Sequence, residues 1–243
     1  MKIVAIIQAR MGSTRLPGKV MLHLGGDTVL ARVVRRVRRI GLIDSVVVAT
    51  SNDKNDDVIV DECRRLDVQC FRGEELDVLD RYYKAAQISK ASTIVRVTSD
   101  CPLIEPEVSE RVIRSFLDRK PDYASNTLTR SYPRGLDTEV TTWEALTRAW
   151  KGARRDYQRV HVTPYIYENP DLFVIEQVVN EDDYNEYRWT LDTPDDLAFL
   201  RAVYERMGNS DQIYWRDLLE LLKREPELAE LNSHIQMKAL HEG

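Results

Sequence analysis

Ile3 to Val20 reads IVAIIQARMGSTRLPGKV, and its two halves ask for different surroundings. Ile3-Val4-Ala5-Ile6-Ile7 is short, wholly apolar and β-branched, the signature of a strand covered on both faces, as in a parallel sheet. Arg10, Gly12, Ser13, Thr14, Arg15, Pro17, Gly18 and Lys19 then leave the end of that strand together. Glycine lets backbone N–H groups turn into one concavity, and the guanidinium and ammonium groups surround it with positive charge. A phosphate chain fits this chemistry better than other common ligands. Two familiar phosphate loops are excluded. Five residues separate Gly12 from Gly18, and Val20 follows Lys19. The stretch therefore lacks the spacing and the magnesium-binding hydroxyl of a Walker A loop, and it contains no G-x-G-x-x-G dinucleotide fingerprint.

Working outward, Val29, Leu30, Val33, Val34, Val37 and Ile40 recur at helical spacing, with arginines on the opposite face, which reads as solvated or as an interface. Asp44 to Thr50 reads as a second buried strand, Asn52 and Asp53 open the next helix, and Val68 to Phe71 forms a third strand. Asp77 is placed to cap a helix containing Asp80 and Arg81. Thr93 to Ser99 is a fourth strand, with Asp100 directly after it. Strand and helix alternating in units of about 30 residues predict a doubly wound, mostly parallel, Rossmann-like α/β sheet, whose ligands sit beyond the carboxyl ends of the strands. The loop at 8–19 and Asp100 both fall there. A carboxylate at that position suits magnesium; capping a turn is its other reading. Near the other end, Thr193, Pro194 and Asp196 form a capping box. Asp192 precedes it and is free to face the cleft, unless it is itself the cap.

The chain has 243 residues, 43% of them hydrophobic, enough for a full core, and a single domain over 1–243 is expected. The formal charge is −5, which argues against a general nucleic-acid binder. Residues 1–40 carry nine Lys or Arg against Asp27 alone, giving +8 there and −13 over the remainder. That split suits an anion held partly through a divalent metal. Cys63, Cys70 and Cys101 show no metal spacing and an odd count, so a reducing, cytoplasmic compartment is expected. No apolar run approaches the ~20 residues of a membrane span.

Three blocks carry a resemblance. QARMGSTRLPGK resembles the signature loop of the cytidylyltransferases that activate acidic sugars, and is most similar to the branch labelled spore-coat-polysaccharide type. SDCPLI and TLDTPDDL are similar to the segments supplying that family's metal carboxylates. The resemblance implies that Gln8, Ala9, Arg10, Gly12, Ser13, Arg15 and Lys19 hold the nucleotide CTP, and that Asp100 and Asp192 bind Mg2+. Arg10 and Lys19 join those two carboxylates as the catalytic set. Arg72 and Arg81 become candidate CTP contacts, although Asp80 and Arg81 equally read as a structural ion pair. The family builds its acceptor pocket in an excursion over roughly 121–187, which points to Asn126, Arg134, Asp137, Glu139 and His161. Asp137 and Glu139 also read as an exposed acidic edge, and His161 as a structural histidine. The run around His161 resembles the family's Glu-His-Val-Thr-Pro-Tyr but has Val160 at the glutamate position. Leu172 to Val179 reads as a strand that could form an outlying or dimer-forming arm, and the related enzymes are commonly homodimers.

These features together imply magnesium-dependent transfer of CMP from CTP to an acidic sugar or a related phosphate or phosphonate acceptor. A transferase using another nucleotide, and a nucleotide-binding module without turnover, are the competing expectations.

Overall fold

The computed structural model describes residues 1–236. The strands are β1 (Ile3–Gln8), β2 (His23–Leu24), β3 (Asp27–Thr28), β4 (Ser45–Ser51), β5 (Gln69–Gly73), β6 (Thr93–Thr98), β7 (Tyr123–Ser125), β8 (Glu139–Thr142) and β9 (Ile175–Gln177). The helices are α1 (Val29–Arg38), α2 (Asp57–Arg65), α3 (Val78–Ile88), α4 (Pro106–Arg119), α5 (Trp143–Gly152), α6 (Asp156–His161), α7 (Pro164–Tyr167), α8 (Pro194–Arg206), α9 (Trp215–Arg224) and α10 (Glu227–Ser233).

Seven strands form one sheet in the order β5-β4-β1-β6-β8-β7-β9, and β2 pairs with β3 in a small separate ribbon. β5, β4, β1 and β6 run parallel; β8 is antiparallel to both neighbours, so it alone is reversed. The chain winds from β1 outward through β4 to β5, then crosses back to place β6 on the other side of β1. That reversal opens a crevice at the carboxyl ends of β1 and β6.

The pleat explains the two-sided core. Ile3, Ala5 and Ile7 pack with α1, α2 and α4 side chains such as Val34, Ile59, Ile113 and Phe116. Val4 and Ile6 face the opposite way, onto Leu79, Tyr82, Leu146 and Ile166. A third cluster, including Leu103, Trp189, Phe199, Leu218 and Leu222, buries α8 and α9 beside the sheet.

One expectation changes. The arginine face of α1 is only partly solvated: Arg38 is exposed, but Arg32 and Arg36 are buried. Arg36 donates to the carbonyls of Ile104 at 2.6 Å, Asp211 at 2.9 Å and Ile213 at 2.8 Å, so backbone acceptors replace the water its charge would need. The 172–179 stretch contains the expected strand in an outlying place: β9 is the outer strand of the main sheet, hydrogen-bonded parallel to β7. Leu172, Val174 and Val179 nevertheless stay exposed along it.

Candidate active site

β1 releases the chain into the crevice at Gln8. The loop then folds on itself, with Ser13 N and Gly18 N both donating to the Met11 carbonyl at 2.8 and 3.1 Å. Gly18 sits at φ 66°, a left-handed conformation glycine adopts without a Cβ penalty, and it launches the 3-10 turn Lys19–Met21. Beneath the loop lies Asp56, which is 2% exposed. Its carboxylate accepts from Met11 N at 2.7 Å, Ser51 N at 3.0 Å, Ser51 Oγ at 2.6 Å and Thr50 Oγ1 at 2.9 Å. Burial alone would raise the Asp56 pKa, but these donors outweigh it and hold it low.

The loop's cations meet two carboxylates across the crevice. Lys19 Nζ lies 2.9 Å from Asp100 Oδ2, 2.8 Å from Asp192 Oδ1 and 2.9 Å from the Leu191 carbonyl. Burial works against the ammonium, yet Asp100 and Asp192 raise its pKa. Burial likewise works against Asp100, but Lys19 and a hydrogen bond from Thr98 hold it at about 2. Arg15 approaches Asp192 Oδ2 at 3.1 Å, and Arg188 donates to the same oxygen at 2.9 Å.

Asp192 is set in place from below. Asp196, completely buried, accepts from the backbone N–H groups of Asp192 and Thr193 and from Arg188. Asn232 on α10 then donates to Asp196 Oδ1 and to the Arg188 carbonyl, both at 2.9 Å. The expected capping box is present, with Thr193 as the N-cap, which leaves Asp192 facing the crevice. Gly135 makes the neighbouring segment possible. At φ 110°, a Cβ there would meet the Trp189 backbone at 2.7 Å, so the Arg134–Leu136 segment lies directly on Arg188–Thr190.

The resulting cleft holds about 470 Å3. Of the residues singled out in the sequence, Gln8, Ala9, Arg10, Gly12, Ser13, Arg15, Lys19, Arg81, Asp100, His161 and Asp192 line it. Arg81 is 1% exposed, and its Nε and Nη1 have no hydrogen-bond partner. It forms no ion pair with Asp80, which pairs instead with Lys84 at 2.7 Å and accepts from the Trp150 indole at 2.9 Å. Burial lowers the Arg81 pKa. A guanidinium buried against a cleft with donors to spare calls for acceptor groups on whatever enters.

Other expected residues lie outside the cleft wall. Arg72 turns back onto the Ser51 and Asp53 carbonyls at 2.8 and 2.7 Å and pairs with Asp57 at 2.5 Å, because its place in β5 points it at the corner after β4. Asn126 spends its amide on the backbone of Leu136 and Thr138, both at 2.8 Å. Asp137 is engaged by both guanidinium nitrogens of Arg130, at 2.5 and 3.0 Å. Glu139 is buried and bonded to Arg96, Tyr123 and Thr163. It is neither an exposed acidic edge nor a wall residue. Arg134 is half-buried beside these groups, and burial with the nearby Arg130 charge lowers its pKa.

The structure adds Arg96, Thr98, Ser99, Val78 and Val160 to the lining. Arg96 had a sequence signal: a lone cation inside the apolar run Ile94-Val95-Arg96-Val97, two residues from Thr98 and therefore on the same face of β6. No group of three or more His, Cys, Asp or Glu side chains gathers to hold a metal among the described residues. Asp100 and Asp192 do share one cation, Lys19. Two oxygen ligands of that kind fit magnesium, which usually takes one or two carboxylates and completes its shell with phosphate and water.

The comparisons agree with this geometry. The family profile described as Cytidylyltransferase matches residues 4–230. The spore coat polysaccharide biosynthesis protein SpsF of Bacillus subtilis is 36% identical over 234 residues, covering 93% of this chain and 96% of that protein. A 3-deoxy-manno-octulosonate cytidylyltransferase of Pelobacter propionicus is 34% identical over 121 residues, 49% of this chain and 46% of that protein. Among solved structures, a cytidylyltransferase from Leptospira borgpetersenii superposes with a TM-score of 0.91 at 33% identity, over 98% of this chain and 100% of that one. With the family profile spanning nearly the whole chain, and with the loop and both carboxylates converging on one cleft, the chain belongs to the cytidylyltransferase family of nucleotidyltransferases.

Proposed function

We propose that this enzyme transfers CMP from CTP to an acidic sugar, or to a related phosphate or phosphonate acceptor, and releases pyrophosphate. One observation carries the reading: the loop lysine, Lys19, meets Asp100 and Asp192 at 2.9 and 2.8 Å, which brings phosphate-binding charge and a divalent-ion donor pair to one point. The likeness to acidic-sugar cytidylyltransferases in sequence supports the substrate class.

In this reading the triphosphate lies in the loop against Arg10, Ser13, Arg15 and Lys19. An acceptor oxygen attacks the α-phosphorus, the bond from that phosphorus to the bridging oxygen of the β-phosphate breaks, and pyrophosphate leaves. Arg10, Arg15 and Lys19 stabilise the negative charge that grows on the non-bridging and leaving oxygens. Asp100 and Asp192 would hold Mg2+, which when bound supplies charge neutralisation for the phosphates. Arg81 offers its unpartnered Nε and Nη1 to the nucleotide. Much of the acceleration comes from holding the reactants in line. Arg134, half-buried beside the Arg188 segment, remains suited to an acceptor anion that reaches past the cleft wall.

A cytoplasmic location is part of the same reading, supported by three free cysteines. No helix among the described residues is long and apolar enough to cross a membrane. A homodimer is proposed as well; the exposed Leu172, Val174 and Val179 beside β9 provide apolar surface for it.

Thermal unfolding with CTP, UTP, GTP and ATP, each with and without magnesium, tests the nucleotide. At about 100 times its dissociation constant a ligand stabilises by about 2.7 kcal/mol. In a chain of this size that raises the midpoint by about 5–10 °C. CTP with magnesium is expected to give the largest shift, and pyrophosphate release with a panel of acidic sugars then identifies the acceptor. A larger shift with another nucleotide would refute the assignment of the base. The absence of any shift would refute the cleft as a nucleotide site.

A further inference from the structure

Two consecutive backbone conformations beside the cleft are ones the sequence should avoid. Val162 sits at φ 74°, ψ −58°, and Thr163 N donates to the His161 carbonyl at 2.9 Å. That is a γ-turn of the rare, strained hand, and a β-branched residue at its centre is unusual. Thr163 then lies in the helical region, at φ −96°, ψ −12°, although it precedes Pro164, whose ring disfavours that region. Val162 is 1% exposed and packs into the core on the α3 side of the sheet. Val160 and His161, just before the turn, line the cleft.

A buried hub holds this segment. Thr163 Oγ1 donates to Glu139 Oε2 at 2.5 Å, and Tyr123 OH donates to the same oxygen at 2.6 Å. Arg96 donates to Glu139 Oε1, and its other guanidinium nitrogen reaches Gln8 Oε1 at 3.2 Å. Glu139 thus ties the floor of the cleft, at Gln8 and Arg96, to the residue that follows the strained turn. A carboxylate with several short donors, one of them charged, is a rigid anchor in a dry interior. Strain of this kind persists only where the surroundings over-determine it.

We propose that Glu139, Thr163 and Arg96 are positioning residues: they hold the strained Val162 turn and thereby aim His161 into the cleft. This rests on the cleft being the site of nucleotidyl transfer, and it reassigns Glu139 from acceptor contact to the support behind the wall. In a relaxed turn, the His161 carbonyl would give up its bond to Thr163 N and the imidazole would sample several orientations.

The test is the His161 ring signal in long-range 1H–15N spectra of the ligand-free protein, which has four histidines and is assigned with a His161→Gln variant. Thr163→Val keeps the shape and deletes the hydroxyl; Thr163→Ser restores it. The expected result is one sharp ring signal in the native protein and in Thr163→Ser, and loss of that signal to doubling or exchange broadening in Thr163→Val. Glu139→Gln, which keeps the shape of the anchor but removes its charge, is expected to lose it too and stands in if Thr163→Val does not fold. A native-like His161 signal in either variant would overturn the proposal. The midpoint shift given by CTP with magnesium is read in parallel. Retention in Thr163→Val is expected, because the phosphate loop is untouched, whereas absence of that shift in the native protein counts against the proposed function and leaves the His161 result standing.

Discussion

Lys19→Met removes the ammonium from between Asp100 and Asp192 while keeping the length of the side chain. Asp192 retains Arg15 at 3.1 Å and Arg188 at 2.9 Å, so the loss falls mainly on Asp100. With Lys19 present, Asp100 stands at about 2, below its ordinary 3.8. Each pKa unit is worth about 1.4 kcal/mol, so the depressed value corresponds to about 2 kcal/mol of native stability at neutral pH. The Asp100 side chain is a quarter exposed, which makes this an upper figure. The sign follows from the depression. The stabilisation is fully present above the unfolded pKa near 3.8 and is lost as pH falls through the folded value near 2. Urea unfolding at pH 7 should show the variant less stable by up to about 2 kcal/mol, with a thermal midpoint lower by up to about 8 °C. The gap should narrow as pH falls from about 4 towards 2, as Asp100 takes up its proton first in the variant and then in the native protein. Magnesium chloride should restore part of the loss at pH 7, since the carboxylate pair then has a divalent cation to share. A variant as stable as the native protein at pH 7, or a gap of constant size down to pH 2, would refute the reasoning.

Asp56→Ala leaves Met11 N without its acceptor and frees the phosphate loop from Ser51 and Thr50. Isothermal titration should show CTP affinity reduced about tenfold, matching the ~1.4 kcal/mol expected when a buried backbone donor loses a charged partner; unchanged affinity would remove Asp56 from the loop's support. Asn232→Ala deletes the bridge to Asp196 and the Arg188 carbonyl, outside the cleft lining. It should destabilise the protein by about 1–3 kcal/mol in urea unfolding and lower kcat more than KM for CTP, whereas a stability loss with native kcat would make α10 a packing element alone.

The parts of the site that follow one another closely were legible in the sequence. Ile3–Lys19 states its strand, its glycines and its cations in one run, and Asp100 and Asp192 each stand at a recognisable punctuation, a strand end and a capping box. Residues that act through space were not legible. Nothing near Asn232 hints that it reaches a carboxylate 36 positions away, and Asp56 reads as an ordinary helix-start acid until the loop is folded over it. Arg72 shows the opposite error. Strand periodicity places a side chain on a face but does not reveal which neighbouring loop lies beneath it. The reversal of β8 was equally hidden, because side chains alternate identically along a strand of either direction. That reversal carries Glu139 to the end of β8 paired with Arg96, turning an expected substrate contact into the partner of a buried ion pair.

The ion bridge from Lys19 to Asp192 spans 173 positions in the chain. A ribosome adding about 5–20 residues per second therefore exposes the cationic loop for roughly 9–35 s before its second carboxylate has been made. Through that interval Lys19 has at most Asp100 as a carboxylate partner, and Arg15 has yet to meet Asp192. The pair of carboxylates that faces the loop is therefore complete only when about the last quarter of the chain is being made.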